Sequence, residues 1–419
     1  MTILLPIKSI KEQVEITTTI LRKRLKTILP LAMRESDLEM WLIICQEDNL
    51  DPVYKTMIPM DCWPKVLQML IFTDIGSEKE IEMINLSMTD TKDLYDKPWR
   101  GGNHAEQWQM LVNVIKERDP KKIGINIGDV NWVSGGLTFN LYNQLIQILP
   151  KKYVDRLVSS EKASTKWAST LIDEELELYS EISSFARRII AECFSSESIE
   201  PGITTIKDLE WLFWQLSIDN GLVEQSFKPY FKIERSDIER SKNPINDNII
   251  RQGDLLICDV GIKYLGLYTD HQEIAYVRKK NETDAPQGLK NLLTMNNKTQ
   301  EIFMREFKKG LTGNQLLANI LDSIKTEGIK KPMIFSHSIG HLVHEPGPII
   351  GLPWDQNPVP GRGDVKLDYN TCFAMELCMF EVVPEWENQL ICCQTEQLVK
   401  YTPNGCEVIG ELQTKYHLI

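Results

Sequence analysis

The amino-acid sequence predicts an α/β domain over residues 1–160, followed by an α+β domain over residues 161–419. A chain of 419 residues exceeds the usual size of one domain. In the first part short apolar runs alternate with helical patterns, whereas in the second part long helices precede a series of strands. The stretch Leu149-Pro150-Lys151-Lys152 begins the passage that ends the first domain.

Composition excludes several classes of function. The formal net charge of −12 argues against a non-specific nucleic-acid binder, which needs a basic surface. No apolar run approaches the ~20 residues of a membrane span, and the basic N-terminal segment lacks the apolar stretch of a signal peptide. The nine cysteines lack a CxxC spacing, so we expect reduced thiols in a cytoplasmic protein.

The first domain is predicted from short apolar runs that are typical of buried strands. These runs cover residues 40–45, 66–73, 80–86 and 122–127. Helical patterns cover residues 10–29, 102–118 and 138–149, and Pro30 is expected to end the first helix. None of these helices follows a glycine-rich phosphate loop, so the sequence predicts no nucleotide site in this domain.

The second domain begins with helices and ends with strands. Helical patterns cover residues 173–196, 205–220, 289–307 and 312–327. Strand patterns cover residues 255–261, 263–269, 273–278, 371–380, 387–396 and 397–401. Residues 347–364 are rich in glycine and proline and predict a loop.

Three of the six histidines lie in the single segment Ser336–Glu345. Because side chains alternate along a strand, His337 and His341 can share one face, while His344 points elsewhere or follows a bend. Neutral imidazole is a common metal ligand and a common proton carrier near neutral pH. A polar strand edge explains the cluster equally well until carboxylates are found to complete a site.

Four carboxylates, those of Asp259, Asp270, Glu376 and Glu396, each interrupt or end an apolar strand. A buried carboxylate without a partner is costly, so each needs a reason to be there. A salt bridge explains any one of them. Two divalent cations that share carboxylate ligands would neutralise all four together.

These residues resemble, in type and order, the pita-bread metallopeptidases, which include aminopeptidase P, prolidase and methionine aminopeptidase. The matching positions are Asp259 within Leu255–Gly261, Asp270 after Thr269, His337 before Ser-Ile-Gly, His344 before Glu-Pro, Glu376 after Met375 and Glu396 after Thr395. The first domain looks like the creatinase-type N-terminal domain of this family, which methionine aminopeptidase lacks. The resemblance therefore favours the aminopeptidase P and prolidase branch.

The resemblance implies a site for two divalent metal ions. Asp259, Asp270 and Glu396 would hold one ion, and Asp270, His337, Glu376 and Glu396 would hold the other, with Asp270 and Glu396 as bridges. This ligand set suits Mn²⁺, Co²⁺, Fe²⁺ or Zn²⁺, with Mn²⁺ favoured by the resemblance. A hydroxide that bridges the metals would attack the peptide carbonyl, and Glu376 would pass a proton to the leaving nitrogen.

Other histidines differ in their expected roles. By the resemblance, His344 matches the family histidine that hydrogen-bonds the substrate. His341 lies where the family varies and is a further candidate for substrate contact. Surface or core positions are expected for His104 and His271.

The resemblance implies a metal-dependent exopeptidase that hydrolyses an N-terminal bond of a short peptide, with Xaa-Pro as the target, and a homodimer. The sequence departs from the family in three places. No histidine lies between His104 and His271, where the family has one, Gln394 replaces an arginine, and Ser338 replaces a glycine. These departures loosen the inference of proline specificity. A C–N hydrolase that acts on a small amide and a non-catalytic peptide-binding scaffold remain alternatives.

Overall fold

The computed structural model describes residues 4–76, 81–330, 332–344 and 347–419. The chain forms two compact units. One comprises Lys8–Ile172, and the other comprises Asp173–His344 and Pro348–Ile419 together with the segment before Lys8. The division after residue 160 that the sequence suggests stays a prediction. Glu80, Glu345 and Pro346, which belong to patterns used above, lie outside the described residues.

The first unit is an α/β domain, as predicted. Its strands are β1 (Met40–Gln46), β2 (Leu67–Asp74), β3 (Ile81–Asn85), β4 (Ile123–Ile125) and β5 (Leu157–Ser159), in the order β3-β2-β1-β4-β5. Its helices are α1 (Ile10–Glu35), α2 (Pro52–Thr56), α3 (His104–Arg118), α4 (Phe139–Ile148), α5 (Lys151–Val154) and α6 (Glu161–Ser169). β1 runs antiparallel to β2 and parallel to β4. Apolar residues of the strands pack against those of α3 and α4 to form the core.

The prediction that Pro30 ends the first helix was wrong, because α1 continues to Glu35. Proline has no N–H and removes one hydrogen bond from the helix interior. Pro30 is nevertheless buried, and the next turn places Ala32 and Met33 at 0% exposure. We infer that burial of these side chains outweighs the lost hydrogen bond.

The second unit is an α+β domain, as predicted, with two larger sheets and the two-stranded sheet β8-β9. Its helices are α7 (Asp173–Cys193), α8 (Ile206–Asp219), α9 (Asp237–Lys242), α10 (Gln287–Arg305) and α11 (Gly313–Thr326). Its strands are β6 (Tyr230–Glu234), β7 (Leu255–Asp259), β8 (Lys263–Tyr264), β9 (Leu267–Tyr268), β10 (Ile274–Tyr276), β11 (Pro332–Ile334), β12 (Ser336–Ile339), β13 (Ile349–Ile350), β14 (Thr371–Val383), β15 (Gln389–Thr402), β16 (Gly405–Val408) and β17 (His417–Leu418). None of the helices in the described part of the chain combines the length and apolarity needed to span a bilayer.

The two larger sheets of the second unit have the orders β17-β10-β7-β6 and β13-β12-β14-β15-β16, with β11 also paired to β14. The backbones of Gln272 and Glu396 join them through a pair of hydrogen bonds of 3.2 and 3.0 Å. α10 and α11 pack on the strands in one large apolar core. The predicted strands 387–396 and 397–401 form the single strand β15, so Glu396 lies in its interior with 0% exposure.

A buried ion pair ties together the ends of β6 and β7. Arg235 follows β6, and its guanidinium donates two hydrogen bonds of 2.6 Å to the carboxylate of Asp254, which precedes β7. It also donates to the carbonyls of Asn243 and Ile249. Both charged side chains are 1% exposed. The pair therefore holds the register of β6 against β7, the strand that ends at Asp259.

We expect Arg235→Met to lower the free energy of unfolding by about 3–5 kcal/mol, because Asp254 would stay buried without its cation. Urea denaturation followed by circular dichroism measures this change. Arg240→Met is the matched control, because Arg240 is 40% exposed and its carboxylate contact is 3.8 Å. An Arg235→Met variant as stable as this control would contradict the structural role of the pair.

Candidate metal centre

Strand pairing brings together side chains that are distant in sequence. Glu376 in β14 lies directly opposite Glu396 in β15. His337 in β12 lies opposite Ala374, two residues before Glu376, so its side chain is on the same face of the sheet. Asp259 ends β7, and Asp270 follows β9 and precedes the Gln272–Glu396 backbone link. The five residues that the sequence singled out as metal ligands are thus neighbours.

The donor atoms of these residues lie within reach of shared cations. Three groups have donor atoms that all lie within 4.8 Å of one another: Asp259, Asp270 and Glu396; His337, Glu376 and Glu396; and Asp270, His337 and His344. Nε2 of His337 is 3.6 Å from Oδ2 of Asp270 and 3.7 Å from Oε1 of Glu396. Each group could hold one divalent cation.

Burial and mutual repulsion disfavour ionisation of the four carboxyl groups. Burial raises the pKa of Asp259 to about 6 and that of Glu376 to about 8. For Glu376 the charge of Asp259 adds to the effect. Burial, together with the charges of neighbouring carboxylates, raises the pKa of Asp270 and of Glu396 well above the usual range. Four carboxylates in this space need protons or cations to balance their charge.

The residues fit divalent cations. Among the described residues, no hydrogen-bond donor reaches Oδ1 of Asp270 or either oxygen of Glu396, and Nε2 of His337 has no hydrogen-bond partner. Nδ1 of His337 lies 3.2 Å from the carbonyl oxygen of Ser338, which favours a proton on Nδ1 and leaves the Nε2 lone pair for a ligand. Burial lowers the pKa of His337 to about 3, so its ring is neutral. Carboxylates with a neutral imidazole suit Mn²⁺, Fe²⁺, Co²⁺ or Zn²⁺.

The histidine segment does not form one long strand. β12 ends at Ile339, and the chain then bends. His337 and His341 therefore do not share a face. His344 instead returns to the site, where its ring centroid lies 4.9 Å from that of His337 and its Nε2 lies 3.8 Å from Oδ2 of Asp270. The side chain of His344 is 54% exposed, which leaves it accessible to a substrate.

His341 has a different environment. Its Nε2 lies 2.7 Å from Oε1 of Glu175 in α7, and both side chains are largely buried. Contact between His341 and a substrate stays a prediction. His271 is buried, with its Nε2 3.1 Å from Oγ of Ser183, and His104 is the exposed first residue of α3.

Sequence reasoning missed Gln272, which contacts two of the carboxylates, and Arg362, which contacts His344. The side-chain amide of Gln272 donates to Oδ2 of Asp259 at 3.2 Å and to Oε1 of Glu376 at 2.5 Å. The guanidinium of Arg362 donates to the carbonyl oxygen of His344. Burial lowers the pKa of His344, and the positive charge of Arg362 lowers it further. Gln272 follows Asp270 by two residues, and in an extended segment this spacing places both side chains on the same face. That spacing was the signal in the sequence that could have identified Gln272.

A lysine lies near the positions where the sequence departs from the pita-bread pattern. Lys232 in β6 places its Nζ 3.0 Å from Oε1 of Gln394. A hydrogen bond from Gln394 lowers the pKa of Glu376, against the larger effect of burial. The charge of Lys232 acts in the same direction on Asp259.

Comparison with solved structures shows the same fold in known proteins. The X-Pro aminopeptidase from Thermotoga maritima has a TM-score of 0.65 and 16% identity, over 93% of this chain and 99% of its own. The Xaa-Pro dipeptidase from Bacillus anthracis has a TM-score of 0.64 and 17% identity, over 96% and 100%. The dipeptidase PepE from Mycobacterium ulcerans has a TM-score of 0.62 and 15% identity, over 96% and 98%. A comparison with curated proteins finds no match.

A family model identifies the second unit. The model of metallopeptidase family M24 matches residues 177–403, which span more than half of the chain. This match and the similar structures confirm the resemblance to the pita-bread metallopeptidases. The chain belongs to metallopeptidase family M24.

Proposed function

We propose that the protein is a metal-dependent exopeptidase that hydrolyses the N-terminal bond of a short peptide, with Xaa-Pro as the target sequence. The observation that carries this proposal is the convergence of Asp259, Asp270, His337, Glu376 and Glu396. Two of the similar structures are an X-Pro aminopeptidase and an Xaa-Pro dipeptidase, which supports the choice of substrate. The homodimer and the cytoplasmic location stay predictions.

In this proposal Asp259, Asp270 and Glu396 hold one divalent cation, and Asp270, His337, Glu376 and Glu396 hold the second. The group Asp259, Asp270 and Glu396 and the group His337, Glu376 and Glu396 support this division, and Oδ2 of Asp270 lies 3.6 Å from Nε2 of His337. Asp270 and Glu396 would belong to both sets, and the neighbouring negative charges that raise their pKa values give a physical reason for each to be shared by two cations. When bound, the cations supply Lewis acidity to the scissile carbonyl and lower the pKa of the attacking water.

The residues of the chain provide proton transfer and orientation. Glu376 takes a proton from the attacking water and delivers it to the leaving nitrogen, and the amide of Gln272 orients its Oε1. His344, half exposed beside His337, donates a hydrogen bond to the substrate. Arg362 brings a positive charge near His344, which suits the free carboxylate of a short peptide.

We expect the metal-free protein to bind two divalent cations per chain and to melt at a higher temperature when it is loaded. Binding only to the folded state stabilises it by about 2.7 kcal/mol at a cation concentration 100 times Kd. Isothermal titration with Mn²⁺ and Co²⁺ measures the stoichiometry. Asp270→Asn should bind fewer equivalents, whereas the exposed-site control Asp284→Asn should bind two. An unchanged stoichiometry in Asp270→Asn would exclude the bridging role.

We expect the Mn²⁺-loaded protein to hydrolyse Xaa-Pro dipeptides and the metal-free protein to be inactive. Amidation of the peptide carboxylate should lower kcat/KM by about 10-fold or more, because a hydrogen bond to a charged group contributes about 1.5–3 kcal/mol. A panel of Xaa-Pro and non-proline dipeptides, free and amidated, measures both effects. Turnover of small amides alone would favour the C–N hydrolase, and binding without turnover would favour the peptide-binding scaffold.

We expect Glu376→Gln to lower kcat by ~10²–10⁴-fold, because the variant cannot carry the proton. Steady-state kinetics on the best dipeptide measure the loss. Glu381→Gln is the matched control, because Glu381 lies in the same strand and is exposed. Circular dichroism should show the same fold in both variants. Full activity in a folded Glu376→Gln protein would rule out the assigned role.

A further inference from the structure

We infer that Lys232 is a positioning residue that orients Glu376 through the side-chain amide of Gln394. This inference rests on the proposed function. It extends that function by giving a role to a lysine outside the ligand set.

The first step concerns the face of the sheet on which Lys232 lies. β6 and β7 are antiparallel, and Tyr230 lies opposite Asp259. Directly opposite side chains point to the same side, and so does the residue two positions further along. Lys232 therefore projects on the same face as Asp259. Its ammonium group reaches across to β15 and lies 3.0 Å from Oε1 of Gln394.

The second step concerns the orientation of the Gln394 amide. Lysine has only donors, so its partner atom on Gln394 must be the carbonyl oxygen. The NH₂ group of the same amide then faces away from Lys232. Gln394 precedes Glu396 by two residues, on the face that also carries Glu376. Glu376 lies directly opposite Glu396, so Gln394 is its diagonal neighbour on the paired strand, and the NH₂ group points to the side of the amide that is free of Lys232 and within reach of the Glu376 carboxylate.

The third step concerns the other groups that face the ammonium. The charge of Lys232 also acts on the thiols of Cys378 and Cys392, where it favours a lower pKa. Sulfur is a weak hydrogen-bond acceptor, so the amide oxygen of Gln394 is the stronger anchor for the ammonium. With Lys232 in place, the amide of Gln394 keeps its NH₂ group on the side of Glu376, whose Oε1 already accepts a hydrogen bond from Gln272. Without it, the Gln394 amide could rotate and present its oxygen to a carboxylate.

The test is a set of variants at two positions. Lys232→Met removes the anchor, and Gln394→Arg places a guanidinium beside Lys232, where the two cations repel. We expect each change to lower kcat/KM roughly 10- to 100-fold, as misplacement of a catalytic group does. The combination Lys232→Met with Gln394→Arg leaves one cation in this space and should recover most of the loss. Lys228→Met is the control, because Lys228 is 70% exposed.

A second readout separates this inference from the proposed function. The visible absorption of bound Co²⁺ reports the geometry of its ligands without turnover. We expect the spectrum to change in each single variant and to return towards the original in the combination. If no peptide is hydrolysed but the spectra follow this pattern, the positioning role stands and the proposed function fails. Spectra and rates unchanged in Lys232→Met would overturn the inference, as would additive losses in the combination.

Gln394→Leu keeps the test decisive if Lys232→Met folds poorly. If Lys232 acts through Gln394, Lys232→Gln should change the Co²⁺ spectrum of the otherwise unchanged protein but not that of the Gln394→Leu variant. An equal change in both backgrounds would show that Lys232 acts by another route and would overturn the inference. Thermal melting of every variant identifies those that are folded.

Discussion

The structure of the second unit depends on the burial of four carboxylates and one imidazole in a small space. In a low-dielectric interior each ionised carboxylate is costly, and its neighbours increase the cost. This cost is the reason that the pKa values of Asp259, Asp270, Glu376 and Glu396 are raised. The surrounding amide and ammonium groups relieve only part of it, because both oxygens of Glu396 lack a donor among the described residues. Cations are the species that would relieve the rest.

Backbone pairing makes this concentration of charge possible. Glu376 and Glu396 face each other in the interior of two long antiparallel strands, paired from Thr371 opposite Tyr401 to Val383 opposite Gln389. A slip of one residue would turn every side chain of a strand to the other face and would separate these carboxylates. The length of the β14–β15 pairing opposes such a slip. The backbone hydrogen bonds between Gln272 and Glu396 then fix the sheet that contains β7 and Asp259 against the sheet that contains β14 and β15.

The sequence predicted the parts of the site that depend on hydrophobic pattern and missed those that depend on tertiary contact. Acidic residues inside apolar runs, such as Glu376, are conspicuous because a buried carboxylate is costly unless a cation or a hydrogen-bond donor compensates its charge. The sequence left open whether His344 points elsewhere or follows a bend, and the bend after β12 brings His344 rather than His341 beside His337. The prediction that Pro30 ends the first helix was wrong because local propensity does not include the packing of Met33. Lys232 lies in a strand with a mixed pattern, and nothing local indicates that its ammonium group reaches Gln394.

The placement of Lys232 behind a neutral amide has a physical advantage in the proposed site. Two divalent cations balance the formal charge of four carboxylates, so a further cation in direct contact with Glu376 would compete with metal for the same oxygens. An amide carries no net charge but has an oriented dipole, and it can donate to Glu376 while its oxygen accepts from Lys232. The cation thereby sets the direction of the donor without occupying a ligand position. Gln394, where the pita-bread pattern has an arginine, is therefore compatible with the proposed metal site, because Lys232 orients its amide.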